Sequence, residues 1–315
     1  IPKKNYFGDS FAYTKNNLDV DTSNSFGGFS NVWGSTLNKL SKEKINEYPF
    51  LNNFLDNYYD KVIRILKDNN CYSDFNNKTV EDYEKKFGLL SSQLFESSLK
   101  RNKLSKFKLK KSLLAVNSNE CTSCGLCLTG CPKDLIYNLN NFFEDLKDAN
   151  KIRLNLDHKL YKFEKNKNTI DLFFKNQSGN LTINYDYVFI CCGPIESSKI
   201  LSHSLPDTYN TFEYKTSQKY LSAFSRFPFF YKKDNFDKMT LSSLSLNFFN
   251  KSENYIQISS VNNLVLNKFK LLDNQTFKIL RPILLNFLSS HIYLWAGLES
   301  SKSGKIVMTK KIIFF

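Results

Sequence analysis

A chain of 315 residues, 41% hydrophobic and 15% aromatic, has apolar surface for a sizeable core and length for two domains, which places it among soluble globular proteins. Its formal net charge of +14 invites a nucleic-acid partner, but the lysines are spread through the whole sequence beside abundant Asn, Phe and Ile. With no nucleic-acid motif beside them they read as solvated surface, and nucleic acid is set aside. Seven cysteines, four of them in one short run, fit a reducing, cytoplasmic setting with bound metal better than a secreted disulfide framework.

The chain opens Ile1-Pro2-Lys3-Lys4 with neither a methionine nor a signal peptide, so its natural start is expected further upstream. Residues 1–36 are polar and turn-rich. Residues 37–100 read as helices: Phe54, Tyr58, Val62 and Ile65 fall at helical spacing, and 81–87 forms another short amphipathic piece. The basic run 100–111 contains a Lys-Phe-Lys-Leu alternation that predicts an edge strand. Pro132, preorganised for a first helical turn, is expected to open a helical segment through Tyr137, and a helix is expected over 135–147.

Short runs over 151–156, 160–164, 169–174 and 180–185, with turn residues between them, predict a strand followed by a β-meander. Residues 185–193, Tyr-Asp-Tyr-Val-Phe-Ile-Cys-Cys-Gly, read as a buried parallel strand that ends at Gly193 and feeds a helix beginning near Ile195. Glycine between a strand and a helix N-terminus is a ready place for a phosphate-bearing cofactor, because backbone N–H groups point outward there. Further on, 238–249 and 254–261 alternate as strands of an antiparallel, substrate-binding sheet. The apolar stretch 279–298 is broken by Arg281, Pro282, Asn286 and His291, which suits an amphipathic helix running into a strand and not a membrane span. In a chain with 29 phenylalanines, Phe224, Phe227, Phe229, Phe230 and Tyr231 read as core before they read as a sugar site. His158, His203 and His291 read as structural, and no catalytic base is assigned.

The most specific pattern is Cys121-Thr-Ser-Cys124-Gly-Leu-Cys127-Leu-Thr-Gly-Cys131-Pro132, the C-x2-C-x2-C-x3-C-P spacing of a loop that wraps a 4Fe-4S cluster. Thiolates two residues apart on a tight loop converge on separate irons, and Gly125 and Gly130 let the backbone turn close to the inorganic sulfides. In two-cluster ferredoxins the fourth cysteine of this spacing serves the other cluster, and no second copy occurs here. The fourth ligand is therefore either Cys131 or one of Cys71, Cys191 and Cys192. Zinc is the rival occupant, although structural zinc ordinarily takes two separated knuckles, and a loop without metal is the third reading.

Three segments together resemble the FAD-dependent glucose–methanol–choline oxidoreductases, in particular the branch associated with polysaccharide biosynthesis. They are Gly27-Gly28-Phe29-Ser30-Asn31-Val32-Trp33-Gly34, the cysteine run 121–132, and Cys191-Cys192-Gly193 followed by the Ser198-Lys199 helix. The resemblance implies a flavoenzyme that oxidises an alcohol carbon of a sugar or polyol, uses FAD, and passes electrons to an acceptor, with the cluster as a relay. It places Gly27, Gly28, Ser30, Asn31 and Gly34 against the flavin and pyrophosphate, Gly193 near the cofactor, and Leu160 where a backbone touches the adenine. It also implies an α/β fold: an incomplete, Rossmann-like FAD domain over 1–46 and 110–206, a helical insertion over 47–109 and an incomplete antiparallel-sheet substrate domain over 207–315. Two departures accompany it. No Gly-x-Gly-x-x-Gly occurs, and the family's C-terminal catalytic histidine has no counterpart, so the chain is expected to be the interior of a longer protein and a poor binder of FAD by itself.

Overall fold

The computed structural model describes residues 26–40, 42–46, 50, 54–100, 107–127, 130–156, 158–176, 179–206, 211–215, 218–225, 238–249, 253–260, 292–299 and 303–307. In chain order the elements begin with β1 (Thr36–Leu37), α1 (Lys42–Asn46), α2 (Phe54–Asp68), β2 (Ser73–Asp74), α3 (Val80–Phe87) and α4 (Leu89–Lys100). They continue with β3 (Phe107–Lys111), β4 (Leu113–Leu114), α5 (Leu139–Asp148), β5 (Lys159–Lys165), β6 (Ile170–Asn176), β7 (Gly179–Tyr185) and α6 (Gly193–Ser204). The last are β8 (Thr211–Lys215), β9 (Gln218–Ser225), β10 (Ser242–Phe249), β11 (Glu253–Ser260), β12 (Ile292–Glu299) and β13 (Ser303–Val307). Every strand pair among the described residues is antiparallel, so the fold mixes helices with antiparallel sheets.

Two compact units emerge: Ile1–Asp145 with Gln218–Glu299, and Leu146–Ser217 with Ser300–Phe315. The expected FAD domain over 1–46 and 110–206 is divided between them, as is the expected substrate domain over 207–315, whereas 47–109 lies wholly in the first.

The first unit is organised by a five-stranded sheet in the order β3-β10-β11-β12-β9 and a small sheet in the order β1-β4-β2. β3, carrying the Lys-Phe-Lys-Leu alternation, is an edge strand and among the described residues pairs only with β10. Its alternation does not leave all of its lysines in solvent. Lys111 is buried, with its ammonium 4.7 Å above the Tyr83 ring, and burial holds its pKa below the usual lysine value.

The helix that supplies the core is α3. The Thr79 hydroxyl accepts the Asp82 N–H at its start, Glu81 and Asp82 sit in the first turn, and the chain leaves at Gly88 with φ +84. This places Tyr83 and Phe87, both fully buried, against Phe75, with ring centroids 4.8 Å apart for Phe75 and Phe87. The same core continues through Leu114, Val116, Leu135, Ile136, Met239, Leu241, Leu244 and Cys127. Helix α2 forms where its spacing predicts, but the stripe of Phe54, Tyr58, Val62 and Ile65 faces solvent, and among the described side chains of α2 it is Leu66 that is buried. Periodicity identifies the helix, but which stripe turns inward is decided by tertiary partners.

In the second unit β5, β6 and β7 form the expected meander, with α6 packed on β5. The Ser204 hydroxyl accepts the Phe163 N–H at 2.9 Å and pins the helix to the sheet. Residues 151–156 form no strand. The expected buried parallel strand over 185–193 is also corrected: after Tyr185 the chain leaves the sheet, and Tyr187 and Phe189 are 84% and 88% exposed. A parallel strand needs hydrogen-bonded neighbours, and among the described residues none pairs with 186–192. α6 does follow, starting at Gly193 with φ +77. β8 and β13 make a two-stranded ribbon.

The strand end of the 279–298 stretch is present as β12. Its expected helical part, together with Phe227, Phe229, Phe230, Tyr231, His291 and the Phe224 side chain, lies outside the described residues. Among the described residues no helix is long and apolar enough to cross a membrane.

Candidate metal centre

The cysteine run is a loop closed by a short antiparallel stem. Asn117 N–H donates to Leu135 O (2.9 Å), Tyr137 N–H donates to Ala115 O (3.0 Å), and Val116 bridges Ile136. From β2, the Ser73 hydroxyl donates to Val116 O at 2.7 Å and clamps the stem from a third segment. The helix expected to open at Pro132 does not form: 132–133 make a turn, and Ile136 is taken by the stem. A pairing partner twenty residues upstream outweighs the local preference of proline for a first helical turn. The helix begins instead at Leu139, behind Asn138, whose side-chain oxygen accepts the Asn140 N–H (3.0 Å).

Within the loop the chain reverses at Ser123 (φ +57), Gly125 (φ +74), Gly130 (φ +99) and Asp134 (φ +53). These reversals bring Cys121, Cys124, Cys127 and Cys131 onto one small cavity of about 20 Å3, whose other walls are Val116, Thr122, Pro132, Lys133, Leu135, Ile136 and Met239. Cys127 is buried, Cys121 and Cys131 are half-buried, and Cys124 is exposed. Three of the sulfurs have a hydrogen-bond donor beside them. Ser123 N–H reaches Cys121 Sγ (3.3 Å), Leu135 N–H reaches Cys131 Sγ (3.4 Å), and the Thr240 N–H and hydroxyl reach Cys127. Burial pushes the Cys127 thiol up, the neighbouring Cys121 and Cys124 add to the rise, and the Thr240 donors oppose it.

The donor set fits a thiophilic centre: four soft sulfurs, apolar walls and N–H groups turned toward the sulfurs. As they stand, no three His, Cys, Asp or Glu side chains among the described residues are close enough to share one metal ion. Loading a cubane requires the four thiols to spread around it.

Cys71 does not line this cavity. Its Sγ lies 3.8 Å from Leu135 O, behind the stem, and burial followed by the nearby Asp134 raises its pKa. Cys191 and Cys192 are exposed and belong to the second unit. Of the four candidates for a fourth ligand, Cys131 is the one on the cavity.

The double-glycine segment packs against the same loop. Trp33 Nε1–H donates to Tyr137 O (2.7 Å), Leu139 N–H donates to the Ser30 hydroxyl (2.9 Å), and Asn140 donates its side-chain N–H to Asn31 Oδ1 (3.0 Å). The Asn31 amide also donates to Phe26 O and Gly28 O. The polar side chains expected to meet a flavin are thus committed to their own turn and to the start of α5. Gly27, at φ +79, has a packing reason to be glycine, since a Cβ there would fall 2.5 Å from Asn140 Oδ1. At Gly28 and Gly34 nothing lies within 4 Å of an added Cβ, so the outer side of the turn is open. Leu160 and Gly193 sit in the second unit, Leu160 in β5 and Gly193 at the start of α6.

His158 Nδ1 is 2.6 Å from Leu156 O, with the ring edge-on to Phe174, a structural arrangement. The residues that sequence reasoning missed are Lys86, Met239 and Thr240. The Lys86 ammonium donates to Cys121 O, and Met239 and Thr240 cover the loop from another part of the chain. Nothing local marks them, because the Thr240 to Gly125 hydrogen bond spans 115 residues.

Gly130→Ala is expected to destabilise the loop by about 1–3 kcal/mol, because a φ of +99 is a conformation that alanine rarely adopts. The space is not the problem, since the nearest atom to an added Cβ is Asn31 O at 4.0 Å. Chemical denaturation of the variant beside the wild type reads this loss. In comparisons with known proteins, no family model and no curated protein matches the chain.

Proposed function

We propose that Cys121, Cys124, Cys127 and Cys131 hold a 4Fe-4S cluster, and that the chain serves an FAD-dependent oxidation of an alcohol carbon on a sugar or polyol in the cytoplasm. The observation that carries this reading is that four thiols of one run line a single cavity, and that the double-glycine turn is bonded to the base of the same loop. When bound, flavin supplies hydride acceptance and the cluster supplies one-electron transfer to an outside acceptor. The chain's own part is to set the surroundings. Apolar walls of Val116, Leu135, Ile136 and Met239 exclude water, N–H donors favour negative charge on three sulfurs, and the exposed Cys124 marks the side nearest solvent. The reading keeps the Rossmann-like FAD domain, the helical insertion and the antiparallel substrate sheet as expectations.

A second reading, an iron–sulfur electron carrier without flavin, is favoured by one specific observation: the Ser30 and Asn31 side chains are occupied by internal hydrogen bonds. The two separate in one experiment on full-length protein purified anaerobically. Bound flavin that is reduced by a sugar or polyol in stopped flow, with transfer to a one-electron acceptor lost in Cys124→Ser, is the expected result. A protein with cluster absorption and no flavin supports the carrier reading. Equal acceptor turnover in both proteins would leave the cysteine loop out of the electron path.

A further inference from the structure

The segment 238–240 has no place in the sequence motifs, yet it forms a wall of the cysteine cavity. Met239 is fully buried and lines the cavity; its N–H donates to Lys86 O (2.8 Å) at the end of α3, and its carbonyl accepts the Ser260 hydroxyl (2.8 Å) from β11. Thr240, 1% exposed, is held by the same anchors and points its donors at the loop. Its hydroxyl donates to Gly125 O at 3.1 Å and also reaches the Cys127 sulfur, beside the Thr240 N–H. On the other side of the loop, the Lys86 ammonium holds Cys121 O. A buried hydroxyl shared between a loop carbonyl and a thiol is a specific arrangement. Valine would fill the same space, but only threonine or serine brings the proton.

We propose that Thr240 is a positioning residue for the cysteine site, one that fixes Cys127 and raises the reduction potential of the centre it ligates. The inference rests on the iron–sulfur reading above. A hydrogen bond to a cysteine sulfur stabilises the more negative, reduced form, so its removal makes reduction harder. The backbone N–H of residue 240 remains in any variant, which leaves the hydroxyl as the quantity tested.

The test is a redox titration, followed by electron paramagnetic resonance, of full-length wild type, Thr240→Val and Thr240→Ser, each with iron and sulfide measured. Thr240→Val is expected to shift the midpoint to a more negative potential at unchanged iron content, and Thr240→Ser to restore the wild-type value. A midpoint in Thr240→Val equal to that of the wild type overturns the proposal, as does an equal shift in Thr240→Ser. If Thr240→Val does not fold, Thr240→Ala takes its place in the same titration. A midpoint in Thr240→Ala more negative than in the wild type and Thr240→Ser supports the hydroxyl contact, and a midpoint equal to theirs overturns it. A wild type that holds no iron–sulfur centre sinks the underlying reading as well, whereas a loaded wild type with an unmoved variant potential sinks only the role of Thr240.

Discussion

Cys127→Ser is expected to remove bound iron almost entirely, while Cys71→Ser keeps the wild-type amount. Cys127 is the deepest of the four thiols, packed with Leu135, Ile136 and Met239, and Thr240 fixes its sulfur on the cavity. Serine offers a hard, neutral oxygen in place of a soft thiolate, a poor exchange for an iron–sulfur site. Cys71 is half-buried near the Leu135 carbonyl and does not line the cavity. Iron and acid-labile sulfide per chain, with circular dichroism as a check on folding, read the outcome. Full iron in Cys127→Ser, or loss of iron in Cys71→Ser, would contradict the ligand assignment.

The largest expected loss of stability comes from Phe87→Ala, about 3–5 kcal/mol by the range for emptying an aromatic core position. Phe87 is fully buried between Phe75 and Tyr83, with ring centroids at 4.8 Å and 5.1 Å. The ring sits where Phe75, α3 and the sheet strands share one core, so its removal leaves a cavity among all three. Tyr83→Phe keeps the packing and removes one hydrogen bond, from the Tyr83 hydroxyl to Ser243 O at 3.0 Å. It is expected to cost about 0.5–1.5 kcal/mol, the net worth of one hydrogen bond, because Ser243 O still accepts the Ser112 N–H at 3.1 Å. Urea unfolding of the two variants orders them. A loss in Phe87→Ala smaller than that in Tyr83→Phe would contradict the view of this core.

The parts of the structure legible in the sequence are those set by short-range geometry. The cysteine spacing with its two glycines forms a reversing loop, the runs from 160 to 185 form a meander, and the alternation ahead of Lys110 forms an edge strand. The parts that were not legible depend on partners far away in the chain. Ile136 joins Val116 and not a helix, the apolar run containing Tyr187 and Phe189 lies exposed with no described strand to pair with, and α2 buries Leu66 while Phe54 and Tyr58 face out. At the site the same distinction holds. Four ligand candidates stand within eleven consecutive residues, but Lys86 and Thr240, which hold the loop in place, come from α3 and from the approach to β10. The resemblance makes the double-glycine segment a flavin surface; in the structure its polar side chains bind Phe26, Tyr137, Leu139 and Asn140, while the backs of Gly28 and Gly34 stay open.

The central claim is that the cysteine loop holds an iron–sulfur cluster. Metal and acid-labile sulfide analysis of the full-length protein, purified without oxygen, tests it most directly. The account predicts about four iron and about four sulfide per chain, the content of one cubane. Zinc bound without sulfide, or four free thiols with no metal after anaerobic purification and reconstitution, would contradict it.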